Sequence, residues 1–226
     1  SERYKQNVLK KANAVDKDQS YVLYNIPKEL LDKLKLPLGI YNSKEEIRKI
    51  AEQHNLPVAH KPDSEDICFI PNGNYKIFLE NNSDIKSIKG NIVDTNGNIL
   101  GIHTGLYKYT IGQRKGIGIS NPTPLYVIGF NKEKNELIVG DEKELYKKEF
   151  NVSNINWLVF DKLEKELIVD VKTRYSSKAY KAKLIPYGNN VKVIYDELQK
   201  SITAGQSAVF YIDDIVIGGG KIIYSL

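Results

Sequence analysis

Cysteine, methionine and histidine are scarce in this chain of 226 residues, which has one cysteine, Cys68, and no methionine. A single thiol cannot close a disulfide within the chain and gives no support to secretion. The three histidines, His54, His60 and His103, lack the spacing of metal ligands. We therefore expect no metal site and a reducing, cytoplasmic environment.

Long hydrophobic runs are also absent. The longest apolar stretches are about six residues, far short of the roughly 20 needed to span a bilayer. The first twenty residues are polar and mixed in charge, without the apolar core of a signal peptide. These patterns predict a chain that does not act at a membrane.

The charge balance is mildly basic, because 33 lysines and arginines face 28 acids, which gives a net charge of +5. Such a bias is compatible with an anionic partner. Fifteen tyrosines accompany the cations, and aromatic faces among positive charges suit nucleic acid. Tyrosines on half-buried strands would explain most of these residues equally simply.

Helical signals occur only in the first third of the chain. Pro27 stands at a plausible first helical position. Ser43 begins a second helix, with Glu46 completing a capping box and Asn55 as the stop. Asn74 can cap a third, short helix. This helical head contains no βαβ unit, so we do not expect it to be a complete domain.

After residue 88 the apolar pattern changes to a period of two. Asn96-Gly97 lies between two apolar runs, which predicts a hairpin, and a second hairpin turns at residues 133–135. Beyond residue 150, six short strands follow with turns at 187–190 and 213–214. Such spacing predicts a small antiparallel barrel or sandwich. The least patterned seam before it is DEKELYKKEF, residues 141–150.

Two stretches combine cations with features of nucleic-acid contacts. TIGQRKGIGI, residues 110–119, places Arg114 and Lys115 among three glycines, which suits phosphate or a plain glycine-rich turn equally well. KTRYSSKAYKAK, residues 172–183, carries cations beside Tyr175 and Tyr180 and has no acid. Taken alone, a solvated strand edge is the better interpretation of this second stretch. Its cations are Lys172, Arg174, Lys178, Lys181 and Lys183.

Cys68 lies in the stretch DSEDICFI, behind three acids and inside a short apolar run. Carboxylates disfavour a thiolate, whereas a reactive cysteine needs positive neighbours. The residue is therefore either a packed, inert thiol or a reactive one whose positive partner comes from elsewhere. By itself, packing is the simpler interpretation.

The order of several long motifs resembles the bacterial and organellar tRNA-specific 2-thiouridylases: DKDQSYVLY, KPDSEDICFIP, TIGQRKGIGI, KTRY, SITAGQSAVFY and VIGGGKII. That family begins with an ATP-pyrophosphatase domain, whose SGGxDS phosphate loop and first catalytic cysteine do not occur here. The resemblance implies an α+β fragment corresponding to the C-terminal two-thirds of the family. We expect the tail of the ATP-pyrophosphatase domain over 1–62, a small, mostly-β central domain over 63–145, and a C-terminal antiparallel β-barrel over 146–226.

The resemblance also implies a reaction, the 2-thiolation of the wobble uridine of tRNA. The cysteine matching Cys68 carries sulfur as a persulfide, received from a sulfur-donor or persulfide-relay protein. ATP, with magnesium, activates the C2 oxygen on the N-terminal domain, and the first catalytic cysteine resolves the adduct by forming a disulfide with Cys68. We expect no cofactor on the residues present here, and this chain alone should be inactive.

Matching residues further imply where tRNA binds. Lys17, Asp18 and Gln19 resemble contacts beside the target uridine. The barrel contacts to the anticodon stem-loop are implied at Arg174, Tyr175 and Gln206. Two departures from the family pattern occur near them: alanine replaces a usual proline at 204 and lysine a common isoleucine at 221.

Two other classes of protein remain open. A non-catalytic RNA-binding barrel would use Cys68 only for packing, and labelling of Cys68 by a sulfur donor separates it from the enzyme. A thiol-redox enzyme would need a resolving cysteine or an activating base near Cys68, and the sequence shows neither.

Overall fold

The computed structural model describes residues 4–61, 70, 75–83 and 87–223. The chain forms two compact units. Unit 1 comprises Ser1–Lys61, Lys148–Leu198 and Ile202–Leu226, and unit 2 comprises Pro62–Lys147 and Gln199–Ser201. The helical head therefore belongs to the same unit as the C-terminal strands. The expected domains, with boundaries at 62 and 145, were each one continuous segment. Within the described ranges, no helix has the length and apolar character needed to cross a membrane.

The described residues form three α-helices: α1 Ser20–Leu23, α2 Lys44–Gln53 and α3 Tyr75–Asn82. The predicted cap of α2 is confirmed, since Ser43 Oγ accepts the Glu46 backbone N–H at 3.3 Å. Asn55 has φ +52°, the left-handed conformation that often ends a helix. The predicted cap Asn74 lies outside the described residues.

The predicted helix after Pro27 is wrong. Pro27 is extended, with ψ 136°, and only a 3₁₀ turn, Lys28–Leu30, follows it. The turn is held by a bond from the Leu30 N–H to the Pro27 carbonyl, three residues back. Leu31 is buried whereas Leu30 is 45% exposed. One buried leucine offers little of the apolar stripe that would stabilise a longer helix.

Unit 2 contains a four-stranded sheet in the order β2-β1-β4-β3. Both predicted hairpins are confirmed, but the first turn is longer than the expected two residues. Its loop is closed by Asp94, whose Oδ1 accepts the backbone N–H groups of Asn96 and Asn98. The strands are β1 Gly90–Val93, β2 Ile99–His103, β3 Tyr126–Asn131 and β4 Glu136–Gly140.

Unit 1 contains the predicted barrel, in which six strands close in the order β10-β5-β8-β7-β6-β9. These strands are β5 Tyr146–Trp157, β6 Leu167–Lys172, β7 Tyr180–Tyr187, β8 Asn190–Lys200, β9 Ser207–Ile212 and β10 Ile215–Ile223. Turns fall at 187–190 and 213–214 as predicted. The expected seam at 141–150 instead holds a 3₁₀ turn and the start of β5. The α+β class with a C-terminal antiparallel barrel is thereby confirmed.

The helical head is joined to the barrel by backbone and side-chain contacts within unit 1. The Val216 N–H donates to the Leu9 carbonyl at 2.9 Å, so the head pairs with the first residues of β10. Asn156 Nδ2 donates to the carbonyls of Tyr24 and Ile26, at 2.8 Å each. Leu9 and Tyr24 are buried in a cluster with apolar side chains of β9 and β10. These contacts attach the segments before and after α1 to the barrel strands.

Candidate nucleic-acid interface

Three segments distant in sequence meet on one surface of unit 1. They are the loop that leads into α1, the β6–β7 loop and the β8–β9 loop. We call the side chains at their junction the Tyr175 cluster: Gln19, Tyr21, Lys172, Arg174 and Tyr175. One ring contact, two cation contacts and a hydrogen bond join Gln19, Tyr21, Lys172 and Tyr175, and the charge of Arg174 acts on Tyr21.

Tyr175 is the centre of this cluster. Gln19 Nε2 donates to the Tyr175 hydroxyl at 2.6 Å, and the ring of Tyr21 meets that of Tyr175 edge-on at 6.3 Å between centroids. The ammonium of Lys172 lies 5.6 Å from the Tyr175 centroid and 5.8 Å from that of Tyr21. Tyr175 remains 44% exposed. An oriented and partly open ring beside a cation is able to stack on a base.

Arg174 connects the β6–β7 loop to the β8–β9 loop. Its Nη2 donates to Thr203 Oγ1 at 3.1 Å, and the Ser177 N–H donates to its carbonyl at 3.2 Å, closing a tight turn. Thr203 begins the turn that ends at the exposed Gln206, whose N–H donates back to the Thr203 carbonyl at 3.3 Å. Arg174 thus links the loop of Tyr175, which is bonded to Gln19, to the turn that carries Gln206.

Asp18 is partly buried and makes hydrogen bonds within unit 1. Its Oδ1 accepts the N–H groups of Ala12 at 3.0 Å and Ser20 at 3.1 Å, and its Oδ2 accepts the Ser20 hydroxyl at 2.6 Å. Ser20 Oγ in turn lies 3.2 Å from the Tyr211 hydroxyl. The carboxylate therefore holds the loop that presents Lys17 and Gln19, both of which are exposed.

Tyr21 anchors the cluster from beneath. Its ring is 8% exposed, and its hydroxyl donates to the Ser207 carbonyl at 2.9 Å. Burial, followed by repulsion from Tyr24, raises the pKa of Tyr21 to about 12. Burial likewise raises the pKa of Tyr211 to about 12. Both phenols are held neutral by the fold.

The raised pKa values of Tyr21 and Tyr211 predict a loss of stability in alkali. In the unfolded chain both phenols ionise near pH 10, whereas in the folded chain they keep their protons to about pH 12. Stability should therefore be independent of these groups below about pH 10 and fall between about pH 10 and 12. Urea unfolding across this range should show a smaller fall for Tyr21→Phe than for the exposed control Tyr187→Phe. Equal falls would contradict the assignment.

Cys68 lies outside the described residues, as does the rest of DSEDICF. No group of three or more His, Cys, Asp or Glu side chains suited to a metal ion occurs in the part of the chain that the structure describes. Three positions that complete the surface were not singled out from the sequence: Tyr21, Thr203 and Ser207. Each lies one to three residues from a predicted contact. That short distance along the sequence was the one signal that could have identified them.

Family comparisons agree with this architecture. The model of the tRNA methyl transferase HUP domain matches residues 1–72 and that of the tRNA methyl transferase PRC-barrel domain matches residues 76–141. The Aminomethyltransferase beta-barrel domain matches residues 147–222. The three matches follow one another along nearly the whole chain.

Curated relatives carry one name. The tRNA-specific 2-thiouridylase MnmA of Caldicellulosiruptor saccharolyticus is 49% identical over 95% of this chain and 59% of its own length. The protein of that name from Halothermothrix orenii is 44% identical over 96% and 60%. MnmA 2 of Clostridium botulinum (strain Loch Maree) is 45% identical over 98% and 63%. The chain thus spans about 60% of the relatives' length, and it belongs to the tRNA-specific 2-thiouridylase family.

Proposed function

We propose that this chain is the tRNA-binding and persulfide-bearing part of an enzyme that 2-thiolates the wobble uridine of tRNA. The observation that carries the proposal is the Tyr175 cluster, in which residues 156 positions apart, Gln19 and Tyr175, are hydrogen-bonded on one surface. The names of the curated relatives supply the reaction. A sulfur-donor or persulfide-relay protein would be the second partner.

The Tyr175 cluster, with Lys17 and Gln206 on the adjoining loops, provides chemical groups that recognise an RNA loop. The open ring of Tyr175 can stack on an unpaired base, and Gln206 can form a pair of hydrogen bonds with a base edge. Arg174 presents a guanidinium, a group suited to a phosphate. Lys17 adds a flexible cation at the end of the loop held by Asp18. Together these groups suit the anticodon stem-loop.

Cys68 is proposed to carry the transferred sulfur. As a persulfide it would attack C2 of uridine, and the C2 oxygen would leave with the group that activates it. A persulfide is more acidic than a thiol, which reconciles the carboxylates in DSEDICFI with a nucleophile. The disulfide that resolves the adduct requires a thiol from another polypeptide segment, since Cys68 is the one cysteine in the sequence.

ATP does not fit the residues of this chain. The sequence contains no SGGxDS or GK-type phosphate loop, and the described residues contain no cluster of carboxylates for magnesium. We therefore assign this chain tRNA binding and sulfur transfer, and we assign nucleotide activation to residues that it does not contain.

Binding measurements on the chain of 226 residues test this division of roles. We expect saturable binding of a tRNA with a wobble uridine, and no heat of ATP binding in calorimetry at about millimolar nucleotide. Absence of tRNA binding would contradict the proposal. Saturable micromolar ATP binding would show that the division between the activities is wrong.

A non-catalytic RNA-binding barrel shares the same cluster and remains the second candidate. Incubation with a radiolabelled sulfur donor separates the two. Label that is retained on Cys68 and released by a reductant supports the sulfurtransferase, whereas a protein that binds tRNA and takes up no label supports the module.

A further inference from the structure

The glycine-rich loop TIGQRKGIGI in unit 2 is not used by the Tyr175 cluster. Its shape is fixed by the Gln113 side chain, which accepts the Thr110 N–H at 3.1 Å and donates to the Lys115 carbonyl at 2.9 Å. Ile111 and Ile117, on either side of the apex, are buried. The loop therefore presents its apex in one conformation, with Arg114 and Lys115 exposed.

The same loop lies against a short segment that carries another cation. Gly112 has φ +87°, a conformation that favours glycine, and a Cβ built on it would stand 2.7 Å from Ser201 Oγ. The neighbouring Lys200 is paired with Glu142. Its ammonium lies 5.4 Å from the centroid of Tyr126 and 6.0 Å from that of Tyr146. The ring of Tyr146 is 40% exposed.

Charge at this surface is positive at the loop apex. Three acids follow β4, but each is engaged. Asp141 and Glu144 form a capping box around the 3₁₀ turn Glu142–Leu145. Glu142 has its pKa lowered chiefly by the hydrogen bond from Lys200 and also by Arg114. Lys200 pairs with Glu142 and Lys143 with Asp141, at 3.5 Å, while Arg114 and Lys115 are exposed at the apex.

An open cavity of about 320 Å³ adjoins the apex. Its lining includes Arg114, Gly116, Gly118 and Asn121, and the Nδ2 of Asn121 donates to the carbonyl and hydroxyl oxygens of Thr123. At Gly116 and Gly118 the backbone lacks a side chain, so a ligand can approach the main chain closely. The cavity is at the lower end of the size range for small organic ligands.

We propose that Arg114, Lys115 and Tyr146 form a second RNA contact, which binds a phosphodiester of the tRNA backbone at the loop apex and stacks a base on Tyr146. This inference rests on the proposed function and extends it to unit 2. RNA is favoured over an acidic protein because an open tyrosine ring accompanies the cations, the combination seen again in the Tyr175 cluster. The glycines admit a backbone, and arginine pairs with phosphate through two parallel hydrogen bonds.

The test measures tRNA affinity at several salt concentrations for a double variant, Arg114→Ala with Lys115→Ala. The matched control is Lys132→Ala with Lys134→Ala, which removes the same charge from the exposed β3–β4 turn of unit 2. We expect the first pair to weaken binding roughly tenfold at about 0.1 M salt and to reduce the salt slope by about one, because one phosphate contact is lost. The control should change neither quantity by a comparable amount.

Tyr146 gives an independent readout. Tyr146→Ala should weaken tRNA binding about fivefold or more, whereas Tyr146→Phe should preserve it, because stacking requires the ring and not the hydroxyl. Equal effects of the double variant and its lysine control overturn the inference. It is also overturned if the double variant loses a protein sulfur donor while tRNA affinity is unchanged. If the wild-type protein does not bind tRNA, both this inference and the proposed function are wrong. If Tyr175 variants lose affinity and the unit 2 variants do not, only this inference is wrong.

Discussion

Replacing Cys68 with serine should abolish the formation of 2-thiouridine in the complete protein supplied with ATP, a sulfur donor and tRNA. Serine is nearly the same size but cannot hold a terminal sulfur, so no persulfide can be delivered to C2 of uridine. Activation of the uridine should continue, because it does not use this residue. The expected loss is total within detection, which is the largest effect of any single substitution considered for this chain.

Ser64→Ala is the matched control for Cys68→Ser, since it alters another small side chain in the same DSEDICFI stretch. The measurement is the thiolated fraction of tRNA, determined by nucleoside mass spectrometry. We expect the control to retain activity and both variants to bind tRNA as the wild type does. Thiolation at the wild-type rate by Cys68→Ser would assign Cys68 to packing.

Replacing Arg174 with alanine should weaken tRNA binding by about 1–3 kcal/mol. Two causes act in the same direction. The variant loses a cation that can contact a phosphate, and it loses the bond from Nη2 to Thr203 that ties the β6–β7 loop to the turn carrying Gln206. If Arg174 contacts a phosphate, the salt dependence should also fall by about one unit.

Arg174→Lys distinguishes the two causes, because it keeps the charge but not the planar guanidinium. Affinity equal to that of the wild type would indicate that charge dominates. An intermediate loss would indicate that the planar geometry of the guanidinium also contributes. Lys192→Ala provides the control for lost charge elsewhere on the barrel, at a residue paired with Glu149. If Lys192→Ala lowers tRNA affinity as much as Arg174→Ala does, the effect comes from net charge and not from a contact at Arg174.

Local signals in the sequence were sufficient for most of the secondary structure. The cap of α2 could be predicted because the Ser43 hydroxyl bonds only to the backbone three residues ahead. The strands of the barrel could be predicted from alternating apolar positions. The helix after Pro27 failed for a tertiary reason. That segment is held by separate contacts to the barrel, and one buried leucine does not stabilise an apolar helical face.

The candidate site depended on contacts that no local pattern contains. The resemblance named Gln19, Tyr175 and Gln206, but their proximity arises from closure of the barrel and from the attachment of the head to β10. Asp18 also has hydrogen-bond partners that its motif does not indicate: an N–H six residues away and, through Ser20, the hydroxyl of Tyr211. A sequence pattern specifies which residue types are present, whereas burial and partners decide which of them face a ligand.

The affinity of tRNA for Tyr175→Ala, compared with Tyr187→Ala, tests the central claim that the Tyr175 cluster binds tRNA. Both tyrosines are exposed, at 44% and 60%, but Tyr187 ends β7, a strand that spans roughly 23 Å, and makes no described contact with the cluster. We expect Tyr175→Ala to lose about 1–3 kcal/mol of binding free energy and Tyr187→Ala to bind as the wild type does. Equal affinities for the wild type and both variants would contradict the claim.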